Sequence, residues 1–149
     1  ELLAAVRPVG GGAKLAALKE IVADLGIAGA DVMYVGDSIT DAPALEAVRS
    51  WGGVALSFNG NDYALAAAEF AAASPDADVQ AQLAGAFADG GRDSVAAAVR
   101  AWPRPRPGVR PRGRARARVG VVAEEPEALA AASAAMRRSV RGERVARLG

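Results

Sequence analysis

The chain has 149 residues and 52% hydrophobic side chains, enough for one domain of modest core, but much of that fraction is Ala and only two Trp, two Tyr and three Phe are present. It contains no Cys and no His, which excludes disulfides, thiolate or imidazole zinc sites, Cys nucleophiles and His-dependent triads. Any chemistry must run on carboxylates, Lys, Arg and hydroxyls. The formal net charge of +1 hides an asymmetry, because acidic side chains dominate through residue 99 and Arg dominates from 100 onward.

The chain opens on Glu1 rather than Met, and Glu1 to Val6 reads as the interior of a longer chain. Leu15, Leu18, Ile21, Val22 and Leu25 recur at helical spacing, predicting a helix from Gly12 to Leu25, with Lys14 in its first turn and Gly26 as its stop. Asp31 to Val35 is a short β-rich apolar run closed by Gly36, suited to a buried parallel strand. The loop Gly36 to Asp41 follows, with Asp41 expected as N-cap of a helix from Ala42 to Ser50 and Pro43 tolerated in its first turn.

Val54 to Phe58 is the next expected strand. The polar turn Asn59-Gly60-Asn61-Asp62, a helix over Tyr63 to Ala68 and a weak strand over Glu69 to Ala73 follow. This is β-α-β-α-β alternation, the pattern of an α/β domain. Ser74-Pro75-Asp76 is expected to open a helix through Phe87, and Asp93 to cap another that runs to Trp102, where the folded body is expected to end.

Pro103 to Arg118 has no periodicity, no acid and no bulky core residue except Val109, so it is expected as a disordered basic linker. Val119 to Ala123 could be a short strand. The helix that follows has acids at its N-terminus, and Arg137, Arg138 and Arg141 towards its C-terminus match the macrodipole. From Arg137 onward the segment reads as an exposed basic helix end without chemistry. The expected division is therefore 1–102, 103–118 and 119–149.

The informative segment is Val-Met-Tyr-Val-Gly-Asp-Ser-Ile-Thr-Asp, residues 32–41, where two carboxylates bracket a tight loop at the C-terminal end of a strand. Ligands of open α/β sheets bind at that end. Asp37 and Asp41 are four apart in a loop bending into a helix, so both can face one hard cation; Mg²⁺ prefers few carboxylates completed by water and phosphate oxygens. Taken singly, Lys14 is a solvated helix residue, Asp41 an N-cap and Gly36-Asp37 a common turn; their joint order and strand context favour a site.

Gly36-Asp37-x-x-x-Asp41 after an apolar strand resembles motif IV of the haloacid dehalogenase superfamily, and Lys14 opening the preceding helix resembles its motif III. The later segments, through Asn59-Gly60-Asn61 and Ala68-Glu69-Phe70 to Ser74-Pro75-Asp76, are similar to the end of its Cof-like branch. The resemblance covers roughly residues 8–100. It implies a partial Rossmann-like parallel sheet with flanking helices from a Mg²⁺-dependent phosphatase that acts on a phosphorylated small molecule through an aspartyl-phosphate. By that resemblance Lys14, Asp37 and Asp41 would be catalytic, with Lys14 holding the phosphoryl group and Asp37 and Asp41 binding the metal. Asn59 and Asn61 are candidates for substrate binding, with turn formation the competing reason for both.

One departure from the family is decisive for the chemistry. Its nucleophile lies in an Asp-x-Asp after an apolar strand well before Lys14, and no such segment occurs in this sequence. The Asp76-Ala77-Asp78 run follows Ser-Pro and reads as a helix N-terminus. The expected chain is thus a C-terminal half of a catalytic core, inactive alone.

Val-Gly-Asp-Ser-Ile-Thr-Asp also resembles the first block of the Gly-Asp-Ser esterases, in which Ser38 would be the nucleophile. That family uses a His base, and this chain has none. A further alternative is a non-catalytic binding module whose Arg-rich arm, 103–118, binds nucleic acid; the absence of interleaved aromatics to stack on bases speaks for a solubilising linker instead. No apolar run approaches a membrane span and no signal peptide opens the chain, so a cytoplasmic location is the expectation.

Overall fold

The computed structural model describes residues 10–104 and 113–141. Helix α1 (Gly11–Leu25) ends at Gly26, whose φ of 62° is a left-handed conformation that favours glycine. Strand β1 (Met33–Gly36), helix α2 (Ala42–Ser50), strand β2 (Val54–Phe58), helix α3 (Asp62–Ala67) and strand β3 (Phe70–Ala73) then alternate. Helix α4 (Asp78–Arg100), strand β4 (Arg118–Val121) and helix α5 (Pro126–Arg141) complete the order.

The sheet order is β1-β2-β3-β4. β1, β2 and β3 are parallel, with Met33 opposite Val54 and Leu56 opposite Phe70, whereas β4 runs antiparallel to β3 with Phe70 opposite Val121. Helices cover both faces, a Rossmann-like α/β arrangement. Side chains alternate across each strand. Val54, Leu56, Phe70 and Ala72 point to one face and join Val79, Leu83, Val95 and Val99 of α4, together with Trp102 and Val119. On the other face Ala55 packs with Leu45 of α2 and Ala64 of α3, and Ala71 packs with Leu129 of α5. Small alanines (Ala55, Ala64, Ala67, Ala68 and Ala71) make up much of this second face, beside the larger Leu45, Leu65 and Leu129, whereas the α4 side holds Phe70, Leu56, Leu83 and Trp102.

Sequence periodicity locates α2 and β2 at their observed bounds and the other expected elements of residues 12–73 within two residues. The two helices expected over residues 74–102 are both present within α4, divided at Gly90 and Gly91, whose backbone angles are non-helical, with Asp93 just past the break. The start of α4 carries an aspartate turn, since the Asp76 carboxylate accepts from the Asp78 N–H at 3.3 Å. Three features differ. The fold does not end near Trp102. Residues 113–118, expected within the linker, form a 3-10 turn over Gly113–Arg116 and then enter β4, with Ala117 buried in the core. Of the expected arm, 105–112 lies outside the described residues. Finally, α1 packs on α2 and buries none of its residues fully, so Ile21 and Leu25 of its apolar stripe remain exposed. Among the described residues no helix is long and apolar enough to cross a membrane.

Candidate functional site

The C-terminal ends of β1 and β2 open into a cleft of about 500 Å³ whose charged lining residues are Lys14, Asp37, Asp41 and Arg137, with Asn59 and Gln80 beside them. Five separate segments meet there: the first turn of α1, the end of β1 with the β1-to-α2 loop, the end of β2, the first turn of α4 and the last turns of α5. The open ends of parallel strands are where α/β sheets bind ligands, because the loops that follow carry side chains and free backbone groups.

The β1-to-α2 loop folds around one carboxylate. Asp41 is 5% exposed and accepts at Oδ1 from Lys14 Nζ at 2.6 Å and Tyr34 Oη at 3.0 Å. Its Oδ2 accepts from the backbone N–H groups of Asp37 and Ser38 at 3.1 and 3.2 Å and from Ser38 Oγ at 2.8 Å. Burial alone would push this carboxyl up, but the hydrogen bonds from Lys14, the Asp37 amide, Ser38 and Tyr34 outweigh it and hold the pKa at about 2. The Tyr34 hydroxyl is pushed up to about 12, first by burial and then by donating to the Asp41 carboxylate beside it.

Asp41 sits at the N-cap position of α2, yet its side chain accepts no hydrogen bond from that helix. It turns back into the loop instead, where the Lys14 ammonium and two loop amides are stronger attractors than the amides of α2's first turn. Gly36 makes this possible. A Cβ at Gly36 would lie 2.4 Å from Asp41 Cβ and 2.9 Å from its Cγ, so the glycine of the Gly-Asp-x-x-x-Asp pattern is the space the second aspartate occupies.

The two carboxylates expected to share one cation have different surroundings. Both oxygens of Asp41 are committed to protein donors. Asp37 lines the cleft with its side chain about a third exposed, while its backbone N–H donates to Asp41 and its carbonyl accepts from the Asn61 N–H at 2.9 Å. Among the described residues no group of three or more acidic side chains converges here or elsewhere. One partly exposed carboxylate fits the protein's share of a Mg²⁺ site, since that ion keeps several waters and takes phosphate oxygens for the rest.

Asn59 and Asn61, the candidates for substrate binding, have backbone partners for their amides. Asn59 is left-handed at φ 49°, which Asn tolerates, and its amide donates to the Ser74 carbonyl at 2.8 Å and accepts from the Ser74 N–H at 2.9 Å. Asn61 caps α3 by accepting from the Ala64 N–H at 3.1 Å. Asn59 still reaches the cleft wall; Asn61 is not among the lining residues.

Arg137 is the residue that sequence reasoning missed. Expected on an exposed basic helix end without chemistry, it is 4% exposed, donates from Nη1 to the carbonyls of Asp37 and Asn59, each at 3.1 Å, and lies 3.7 Å from the Asp37 carboxylate. A signal for it existed. Leu129, Ser133 and Arg137 recur every four residues, the spacing of one helix face, and all three are buried.

Ser38 donates its hydroxyl to Asp41 and is also 3.0 Å from Thr40 Oγ1. A carboxylate whose pKa is about 2 is too weak a base to activate that hydroxyl at neutral pH, so the arrangement does not serve an esterase nucleophile.

The solved structure of gene product AF1437 from Archaeoglobus fulgidus is similar to this chain, with a TM-score of 0.74 and 28% sequence identity over 92% of the chain. The chain spans 40% of the length of that archaeal protein. No protein-family model and no curated protein matches the chain.

Proposed function

We propose that this chain is the phosphoryl- and Mg²⁺-binding half of a haloacid-dehalogenase-type phosphatase core. The observation that carries the reading is the Lys14–Asp41 pair at the mouth of the parallel sheet, with Asp37 presented to the same cleft. Lys14 Nζ is held by Asp41 at the cleft edge, still about a third exposed, where an ammonium neutralises phosphoryl charge. Asp41 acts as the organiser: it orients Lys14 and fixes the Asp37 and Ser38 amides, so that the loop keeps one shape. Asp37 is the carboxylate offered to the metal. The bound Mg²⁺ would add positive charge against the transferring phosphoryl group.

Among the described residues no cleft carboxylate is left to attack in that reaction class. Asp41 is locked to five donors and Asp37 is assigned to the metal, so the nucleophile belongs to a segment outside this sequence. That the archaeal neighbour is much longer than this chain is consistent with such a segment. The substrate class is a phosphate monoester.

The reading is tested by titrating the chain with Mn²⁺, as a spectroscopic substitute for Mg²⁺, in the presence of inorganic phosphate. Asp37→Asn should lose at least tenfold in cation affinity while its thermal melt stays within a few degrees. Equal affinity in the folded Asp37→Asn chain would refute the assignment.

The binding-module alternative finds no support at the described ends of the Arg-rich arm. Arg104 and Arg118 are ion-paired with Glu125, and nearby Arg100 is paired with Glu124.

A further inference from the structure

We infer that Arg137 is a positioning residue of this cleft: by holding two backbone carbonyls it fixes the loop that aims Asp37, so that the docking of α5 sets the geometry of the cation site. This deepens the phosphoryl-site reading and rests on it. Arg137 acts through the main chain of its neighbours.

The loops that follow β1 and β2 lie side by side, because the two strands are parallel neighbours with Gly36 opposite Ser57. Arg137 bridges them. Its Nη1, a nitrogen with two N–H groups, donates to the Asp37 carbonyl and to the Asn59 carbonyl, each at 3.1 Å. The Asn61 N–H adds a direct tie to the same Asp37 carbonyl at 2.9 Å.

Both peptide groups that flank the Asp37 Cα are restrained as a result. The N–H on one side donates to Asp41 Oδ2 at 3.1 Å, a bond made within the loop, and the carbonyl on the other side is held from outside it. With φ and ψ set in this way the Asp37 side chain keeps only its own rotamers, and its presentation to the cleft follows from the backbone. Groups that orient a metal ligand matter to affinity nearly as much as the ligand does.

Burial makes the clamp stiff. Arg137 is 4% exposed, so its donors are largely shielded from water, and charge-assisted hydrogen bonds of this kind are the stronger ones. Each end of the clamp is itself anchored. Leu129, earlier on the same face of α5, is fully buried and packs with Leu65 and Ala71. Asn59, left-handed at φ 49°, is pinned through its amide to Ser74.

Arg137→Lys separates the clamp from the charge. It keeps a cation, but the lysine chain ends about one bond short of Nη1 and cannot hold both carbonyls from the same Cα. In the 149-residue chain titrated with Mn²⁺ in the presence of inorganic phosphate, Arg137→Lys should lose about tenfold in cation affinity. The Asp37, Ser38 and Asn61 amides should exchange about tenfold faster by NMR, while those of β2 keep their rates. Val95→Ala, a core truncation on α4 past the Gly90-Gly91 break, should lower the melt yet leave cation affinity within about threefold. Wild-type affinity in a folded Arg137→Lys chain overturns the inference. So does exchange that quickens across the whole sheet, or an equal loss of affinity in Val95→Ala, since either marks Arg137 as merely structural. If the lysine variant does not fold, Arg137→Gln, which strands no charge, carries the same exchange readout and is judged by it. Cation binding that is unaltered in Asp37→Asn fails the site reading itself, and the positioning role falls with it; binding lost in Asp37→Asn but kept in Arg137→Lys fails the inference alone.

Discussion

Lys14 Nζ and Asp41 Oδ1 are 2.6 Å apart although the residues are 27 positions apart in sequence, and this contact ties the start of α1 to the start of α2 at the cleft. Because Asp41 is buried and its pKa lies at about 2, below the ordinary carboxylate range, its ionised form stabilises the fold. The contribution, about 2 kcal/mol, is fully present above about pH 4 and is lost as pH falls through about 2. Urea midpoints measured from pH 5 to pH 2 should fall across that window, and Asp41→Asn should show a flatter profile over the same range. An equally steep decline in the variant would show that other carboxylates carry the acid sensitivity.

Gly36→Ala would place a methyl group 2.4 Å from Asp41 Cβ. The loop must move or Asp41 must leave its five donors, so we expect a loss of about 1–3 kcal/mol, the usual cost of overpacking. Chemical denaturation measures it. The crowding is steric, so Gly36→Ala should cost about as much at pH 7 as at pH 5.

On the proposed phosphatase reading, in a longer chain that carries the nucleophile, Asp37→Asn should reduce hydrolysis of p-nitrophenyl phosphate by orders of magnitude with little effect on the melt, since it would remove the carboxylate offered to the metal. Ser38→Ala loses one hydrogen bond to Asp41, worth about 1 kcal/mol net, and should retain most activity. The reverse ranking would favour the serine-nucleophile reading. The 149-residue chain alone should show no Mg²⁺-dependent turnover above background, because among the described residues of the cleft none is placed as an attacking carboxylate.

β1 stands at the edge of the sheet, pairing with β2 and with no other strand among the described residues. Val35 on that strand and Ile21, Leu25 and Ile27 nearby in sequence are exposed apolar side chains. An open edge beside apolar surface is prone to associate. Light scattering of the isolated chain should rise with concentration, and amides of β1 should exchange faster than those of β2, which is paired on both sides. A monomer at high concentration with slow exchange in β1 would overturn the expectation that this edge is open in solution.

The sequence by itself determined the α/β alternation, the bounds of α2 and β2, and the Gly36 to Asp41 loop with Lys14 upstream. Each of these is set locally, by periodicity over one element or by the turn preferences of Gly and Asp. It could not determine that Asp41 turns away from capping α2, because the ammonium it prefers comes from another helix. Nor could it pair the short strand expected over Val119 to Ala123 with its partner, since β4 joins the sheet antiparallel to β3, more than forty residues earlier. Arg137 shows the limit most clearly. Beside Arg138 and Arg141 it reads as part of a solvated basic helix end, and only the docking of α5 across β3 turns its face inward. That contact, across a separation of 100 residues, brings a buried guanidinium to the Asp37 loop at the cleft.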